Sequence, residues 1–358
     1  MTGGTGMMDR LRHNPAALGI GLLLIGAALI AGAEAWLTPF ERTVIGFAGI
    51  NIILAVSLSF SNGLTGLFSL GHPAFMMLGG YTAAILTFPA MRKSTMLPGL
   101  PEFIATSELS LLPATLAGGV VAAVAALIAG FPVLRLRGHY LAVATLGLIV
   151  IVQVLINNMD SITRGAIGLA GLPRLSNLWW IYGWVAVTLF VTWQLKHASL
   201  GRALMSIREN ELASASIGVR RARLKLFAFV LGAFFAGVAG ALWAHLVTNL
   251  TPNSFGIVTA FMIVVMVVLG GSGSLIGAAL AAIALSVISE AARPIERAID
   301  AYGLVQIVTA TLLIAVLLFR PQGLFGSGEP VTRRMTTPGK PPSKTSHEHR
   351  GGFPNETS

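Results

Sequence analysis

The chain contains no cysteine, which excludes disulfides, thiolate metal sites and cysteine nucleophiles and leaves its redox compartment open. Charge is scarce as well: Asp, Glu, Lys and Arg make up 11% of 358 residues, against 54% hydrophobic types. A soluble average is about 25% charged, so the chain reads as a polytopic membrane protein rather than two or three soluble domains. No Gly-x-x-x-x-Gly-Lys-Ser/Thr loop occurs, so this chain is not expected to cradle a nucleotide phosphate or to hydrolyse ATP itself. The apolar runs also lack the Asp or Glu relays that proton-driven pumps carry. Glu34 and Glu290 fall near the ends of runs and read as interfacial carboxylates. His72, His139 and His245 are unclustered and read as hydrogen-bonded structure, so neither a metal site nor a catalytic residue is expected. A membrane chain without energy-coupling chemistry of its own would need a partner to supply it for any active process.

What charge there is lies in a few places. The net charge is +10, much of it in residues 196–225 and the tail. In a membrane protein such clusters fix orientation by staying in the cytoplasm, which explains the excess better than nucleic-acid binding does. Apolar runs of roughly 20 residues, enough to cross the hydrocarbon core, fall at about 17–37, 43–60, 68–88, 111–133, 139–156, 178–195, 226–247, 255–269, 275–292 and 303–319. The expectation is an all-α transmembrane bundle of about ten spans with both termini cytoplasmic. Residues 1–16 form a cytoplasmic segment, 17–325 the membrane domain and 326–358 a disordered cytoplasmic tail rich in Pro, Ser, Thr and charge. Arg135 and Arg137, the 196–225 loop and the tail all fall on one side by this count. The first run is longer than a signal-peptide core and lacks a convincing cleavage site, so no cleavable leader is expected.

The loop Lys196 to Lys225 reads as two short helices. Ser199 is placed to cap the first and Asn210 the second, with Glu211 beside the positive end of the second helix dipole. Gly218 supplies a left-handed stop before Arg220, Arg221 and Arg223. The other reading is a solvated basic loop that only sets topology.

Two apolar pairs are broken by glycine, at Asn62-Gly63-Leu64-Thr65-Gly66 with Gly71, and at Gly270-Gly271-Ser272-Gly273-Ser274. Residues 61–66 look too short and polar for helix, and irregular backbone at membrane depth must be buried in protein or face a cavity. Ser69-Leu70-Gly71 faintly echoes Ser274-Leu275-Ile276-Gly277, either as an accidental match of small residues or as interrupted segments marking a transport path. Gly63, Gly66, Gly71, Gly270, Gly271 and Gly273 are therefore candidate gating positions. Asn51, Gln153 and Gln306 are polar groups in apolar runs, suited to interhelical hydrogen bonds or to path lining.

Several separated stretches resemble one family. Asn62-Gly63-Leu64-Thr65-Gly66 with Ser69-Leu70-Gly71-His72 and Gly79-Gly80-Tyr81, Leu134-Arg135-Leu136-Arg137-Gly138-His139-Tyr140, Ile207-Arg208-Glu209-Asn210-Glu211, Ala236-Gly237-Val238-Ala239-Gly240, the 270–274 break and Arg320-Pro321-Gln322-Gly323-Leu324 are together similar to LivM-type permeases of branched-chain amino acid ABC importers. One departure is Arg164, standing in Thr163-Arg164-Gly165-Ala166-Ile167-Gly168 where the family usually has glycine, with Ala166 where proline is common. The resemblance implies a permease of the bacterial inner membrane, embedded in lipid. It would pair with a homologous permease, two cytoplasmic ATPases that hold ATP and magnesium, and a periplasmic binding protein. Arg208, Glu209, Asn210, Glu211, Ala213 and Gly218 would form the ATPase-docking loop, with no cofactor bound by this chain. Leucine, isoleucine and valine are the implied substrates; urea, short amides and other small amino acids are the alternatives within the family, and a gated channel or intramembrane enzyme the alternative outside it.

Overall fold

The structure, a computed structural model, describes residues 26–28, 30–136, 138–298, 303–319 and 323. Of the expected first span 17–37, residues 17–25 and 29 lie outside these residues, as do segment 1–16 and tail 326–358, while 26–28 and 30–36 are helical. Among the described residues seven helices are long and apolar enough to cross a membrane. They comprise α1 (Pro39–Leu58, prolonged by a π-helical turn Ser59–Gly63), α3 (Leu111–Val133), α4 (His139–Asn157), α5 (Leu178–His197), α8 (Arg221–Val247), α9 (Ile257–Gly270, entered through a 3-10 turn Pro252–Phe255) and α10 (Leu275–Ala298). Helix α2 (His72–Thr87) precedes α3 and makes an eighth candidate with Ala90–Met96, which turns away from it by 116°. Helices α6 (Ser199–Glu209) and α7 (Glu211–Ser216) form the charged knob, and α11 (Leu304–Phe319) is apolar over a shorter stretch.

Small residues decide how these helices pack. Helix α8 lies against α2, α3 and α1, while α1 also takes α5 and α10. Gly232, Ala233, Ala236, Gly237, Ala239, Gly240 and Ala241 bury a face of α8 with almost no side-chain volume. A Cβ on Gly79 would overlap the Gly237 backbone, one on Gly240 the Met76 carbonyl, and one on Gly118 would sit 2.6 Å from the Gly79 oxygen. In lipid, helices gain little from burying apolar surface against one another, so such backbone approach supplies the contact. The outward faces of α3 and α4 carry Val124, Ile128, Val143 and Ile151, exposed and apolar, as suits hydrocarbon.

Four boundaries differ from the sequence reading. Residues 61–66 continue α1 as a π turn through Gly63 and helix to Thr65. Hydroxyls bond back to the preceding turn, Ser57 to Leu54 O at 3.0 Å, Ser61 to Leu58 O at 3.2 Å and Thr65 to Ser61 O, satisfying carbonyls that a polar loop would leave open. Helix α2 starts at His72, not 68, because Pro73 belongs in a first turn where its missing N–H has no partner to lose. Helix α8 starts at Arg221, so the basic run belongs to its first turns. Helix α10 runs on through Arg293, Pro294 and Glu296, residues expected in a turn.

At the opposite end of the bundle from the knob, 160–177 and 248–254 meet in a ladder of β1 (Leu169–Ala170) and β2 (Asn249–Leu250), antiparallel with Leu169 opposite Leu250. Buried His245 ties this end together, with Nε2 3.1 Å from Thr87 Oγ1 and Nδ1 3.1 Å from the Pro173 carbonyl. His72 is also buried, but neither ring nitrogen has a hydrogen-bond partner among the described residues, contrary to the expectation of hydrogen-bonded structure.

Candidate functional site

The knob is folded by local chemistry. Helix α6 buries Gly201, Leu204 and Ile207 and turns its polar face outward. It begins one residue earlier than Ser199 would require as a cap: Ala198 holds the cap position and no side chain caps the helix. Asn210 does cap α7. Its backbone is extended (φ −153°, ψ 108°), and its Oδ1 accepts from the N–H groups of Leu212 and Ala213, each at 3.0 Å. Glu211 occupies the first turn and pairs with Lys225 at 2.9 Å and Arg221 at 3.5 Å, joining α7 to the root of α8. Gly218 closes the knob at φ +84°, in open space, where only the backbone conformation calls for glycine. Helix α7 presents Leu212 and its following residue Ile217 at 75% and 76% exposure, beside exposed Ala213, Glu209 and Asn210. Two bare aliphatic side chains on a charged knob form a small contact surface.

Beneath the knob the two glycine breaks meet. A Cβ on Gly63 would fall 2.6 Å from the Gly273 nitrogen. Ser59 Oγ reaches the Ser274 carbonyl at 3.4 Å. Gly66, Gly271 and Gly273 all have positive φ, at 71°, 103° and 103°. Gly270 packs on Gly277 within the α9–α10 hairpin, and Gly71 packs on Thr145, whose hydroxyl accepts from Leu70 N at 2.9 Å. The link to the knob is made by charge-assisted hydrogen bonds to backbone carbonyls. Arg208 Nη1 donates to the Gly63 carbonyl at 2.6 Å and to the Ser272 carbonyl at 3.1 Å, spanning both breaks. Lys196, buried at the end of α5, donates to the Gly273 carbonyl at 2.6 Å. Hydrogen bonds from a cation are worth about 1.5–3 kcal/mol each, so these two side chains hold the junction closed from the knob side. Arg208 was legible as a loop residue but not as a bridge, and Lys196 was not singled out. The available signal is physical: broken helices leave carbonyls without intrahelical donors, and a long cation nearby can serve them.

A cleft of about 290 Å³ opens at this junction, lined by Leu58, Gly66, Phe68, Arg208, Val264 and Val268. A second, of about 320 Å³, lies toward the other end of α1, α9 and α10 and brings together Asn51, Met262, Met266, Glu290, Arg293 and Gln306. Asn51 also bonds Ser286 Oγ on α10 at 2.9 Å. Gln153 stands apart and donates to the Pro252 carbonyl at 3.1 Å. Glu290 pairs with Arg293 at 3.3 Å, and Glu34 accepts from Trp179 Nε1 at 2.8 Å.

Residues 42–317 match the model of the branched-chain amino acid transport system permease component family. This chain belongs to that permease family. It is 32% identical over 343 residues to the high-affinity branched-chain amino acid transport system permease protein LivM of Escherichia coli K12, an alignment covering 86% of this chain and 74% of that one. LivH of the same strain is 25% identical over 305 residues, covering 77% and 91%. A shorter likeness, 31% over 108 residues, links 28% of the permease to 31% of the autoinducer 2 import system permease LsrC of Escherichia coli O9:H4. No solved structure matches it. The departure at Arg164 has a conformational counterpart: this residue of the permease is left-handed, at φ 61° and ψ 20°, the region glycine enters at least cost. Its Nη1 lies 3.9 Å from Met96 Sδ, at the same end as the β ladder.

Proposed function

We propose that this permease is the membrane-spanning subunit of an ABC importer for branched-chain amino acids in the bacterial inner membrane. It works with a homologous second permease, two cytoplasmic ATPases that hold ATP and magnesium, and a periplasmic binding protein. The observation that carries this reading is the wiring of the knob into the junction of the glycine breaks through Arg208 and Lys196. An ATPase that seizes Leu212 and Ile217 and pulls on α7 also pulls on α6, and with it the arginine that bridges Gly63 and Ser272. Releasing those carbonyls lets the two helix pairs part. The cleft at the far end of α1, α9 and α10 supports cargo with an aliphatic side chain, since Met262 and Met266 line it, with the Glu290–Arg293 ion pair among the other lining residues.

The finer topology, ten spans with both termini cytoplasmic, is part of the proposal. Its support is that the loop around Arg135 and the knob line one cleft, while Gly323, just past α11, packs on Gly271. Reporters fused after Pro338 and inserted near Arg208 should both read cytoplasmic, with one near Leu97 reading exterior; opposite sides for the first two overturn the count.

Arg208→Gln tests the mechanism. It should leave insertion and ATPase retention intact and lower amino acid moved per ATP hydrolysed by on the order of tenfold, the scale of one lost charge-assisted bond. Arg208→Lys should recover part of the coupling. An unchanged ratio in both variants would remove Arg208 from the mechanism.

A further inference from the structure

The largest cleft described lies beside this junction and is not used by it. It encloses about 790 Å³ between the α3–α4 connection, the stretch around Phe68, and the segment joining α7 to α8. Arg135, Arg220, Arg221, Arg223 and Lys225 line it, with Glu211 as the single lining carboxylate among the described residues. That carboxylate is taken by Lys225 and Arg221. Arg135, Arg220 and Arg223 are exposed and have no carboxylate partner among the described residues. Three exposed arginines thus share one cleft with no carboxylate partner among the described residues, and an anion bound among them would relieve their mutual repulsion.

The surroundings say what kind of anion fits. The same cleft is lined by Leu67, Phe68, Leu134 and Leu141. Phe68 is 47% exposed, and the Arg135 guanidinium lies 4.7 Å over the ring of Phe131, itself 63% exposed. From there an exposed apolar strip runs away from the knob along α3 and α4 through Ile128, Tyr140 and Val143. A free phosphate would use the arginines and leave this strip bare. An acidic protein surface would pair with the arginines and leave the aliphatic and aromatic groups unmatched. A molecule with a phosphate at one end and hydrocarbon at the other matches both, and arginine suits phosphate through its planar fork of donors.

We propose that this cleft binds the headgroup phosphate of an anionic membrane lipid through Arg135, Arg220 and Arg223, with the acyl chains lying along α3 and α4. The site stands independently of the transport substrate. Because Arg221 and Lys225 also hold Glu211, the bound lipid buttresses the root of the docking helix.

The test uses the full chain purified in uncharged detergent, with dioctanoyl phosphatidylglycerol as probe and retention read by native mass spectrometry. One lipid should stay bound, dioctanoyl phosphatidylcholine should not, and inorganic phosphate at equal concentration should not displace it. Each basic residue near an anionic surface is worth about 1 kcal/mol, or roughly fivefold. The double variant Arg220→Gln, Arg223→Gln should therefore bind roughly 25-fold more weakly while keeping the thermal transition of the parent in lipid-free detergent. Equal retention of both lipids, displacement by inorganic phosphate, or undiminished binding by a folded double variant each overturns the site. So does loss of ATPase copurification in the double variant with lipid retention unchanged, which would assign the arginines to the protein partner.

Discussion

Gly240 and Gly147 differ only in what surrounds them. Gly240 faces the Met76 carbonyl so closely that a methyl group has no room, whereas a Cβ on Gly147 meets nothing within 4 Å. Overpacking costs about 1–3 kcal/mol where neighbours can yield, and here the neighbour is backbone in a central helix crossing. Gly240→Ala should lower the thermal transition of the purified chain and its yield in the membrane. Gly147→Ala should be neutral or stabilise by up to about 1 kcal/mol, because alanine restricts the unfolded chain and suits a helix better. Equal behaviour of the two would mean that the glycine contacts among α2, α3 and α8 do not hold the bundle together. The same scale explains the two buried histidines: His245 lies between a hydroxyl and a carbonyl, and His72 has neither, a distinction that residue type alone does not carry.

At the scale of elements, α7 is the part expected to work. Gly218→Val forces a β-branched residue to φ +84°, a strain of about 1–3 kcal/mol, with no steric neighbour to blame. Glu211→Lys reverses a charge at the start of α7 and breaks its pairs to Lys225 and Arg221. Surface pairs are worth about 0–1 kcal/mol, and here both are half-buried, with Lys225 only 14% exposed. Neither change should prevent insertion, yet both should weaken ATPase copurification or uncouple it from transport; normal values of both quantities in both variants would reduce the knob to a topology marker. Its cap and stop were legible in the sequence because both are local, one carboxamide oxygen reaching two N–H groups and one glycine ending six helical residues. Ser199 misled because a helix start displaced by one residue turns a cap into a first-turn residue. The 61–66 stretch misled because serine and threonine can satisfy carbonyls within a helix as well as break one.

At the scale of the whole molecule, the apolar helices follow from run length. What joins them does not. Arg208 and Gly63 are 145 residues apart, the β ladder pairs two residues from each of two separate loops, and Asn51 comes to line one cleft with Gln306 only because α10 packs on both α1 and α11. Such contacts leave no trace in periodicity. The central claim is the proposed one, that this permease moves branched-chain amino acids by coupling to ATP hydrolysed by partner subunits. It is tested most directly by reconstituting it in vesicles with its copurifying permease and ATPases and adding the cognate binding protein outside and ATP within. Radiolabelled leucine should accumulate against its gradient, only when ATP and binding protein are both present, and excess isoleucine or valine should compete. Leucine equilibrating through the membrane without ATP would contradict the account in favour of a channel, and ATP-driven uptake of urea or an amide with leucine excluded would contradict the assigned cargo.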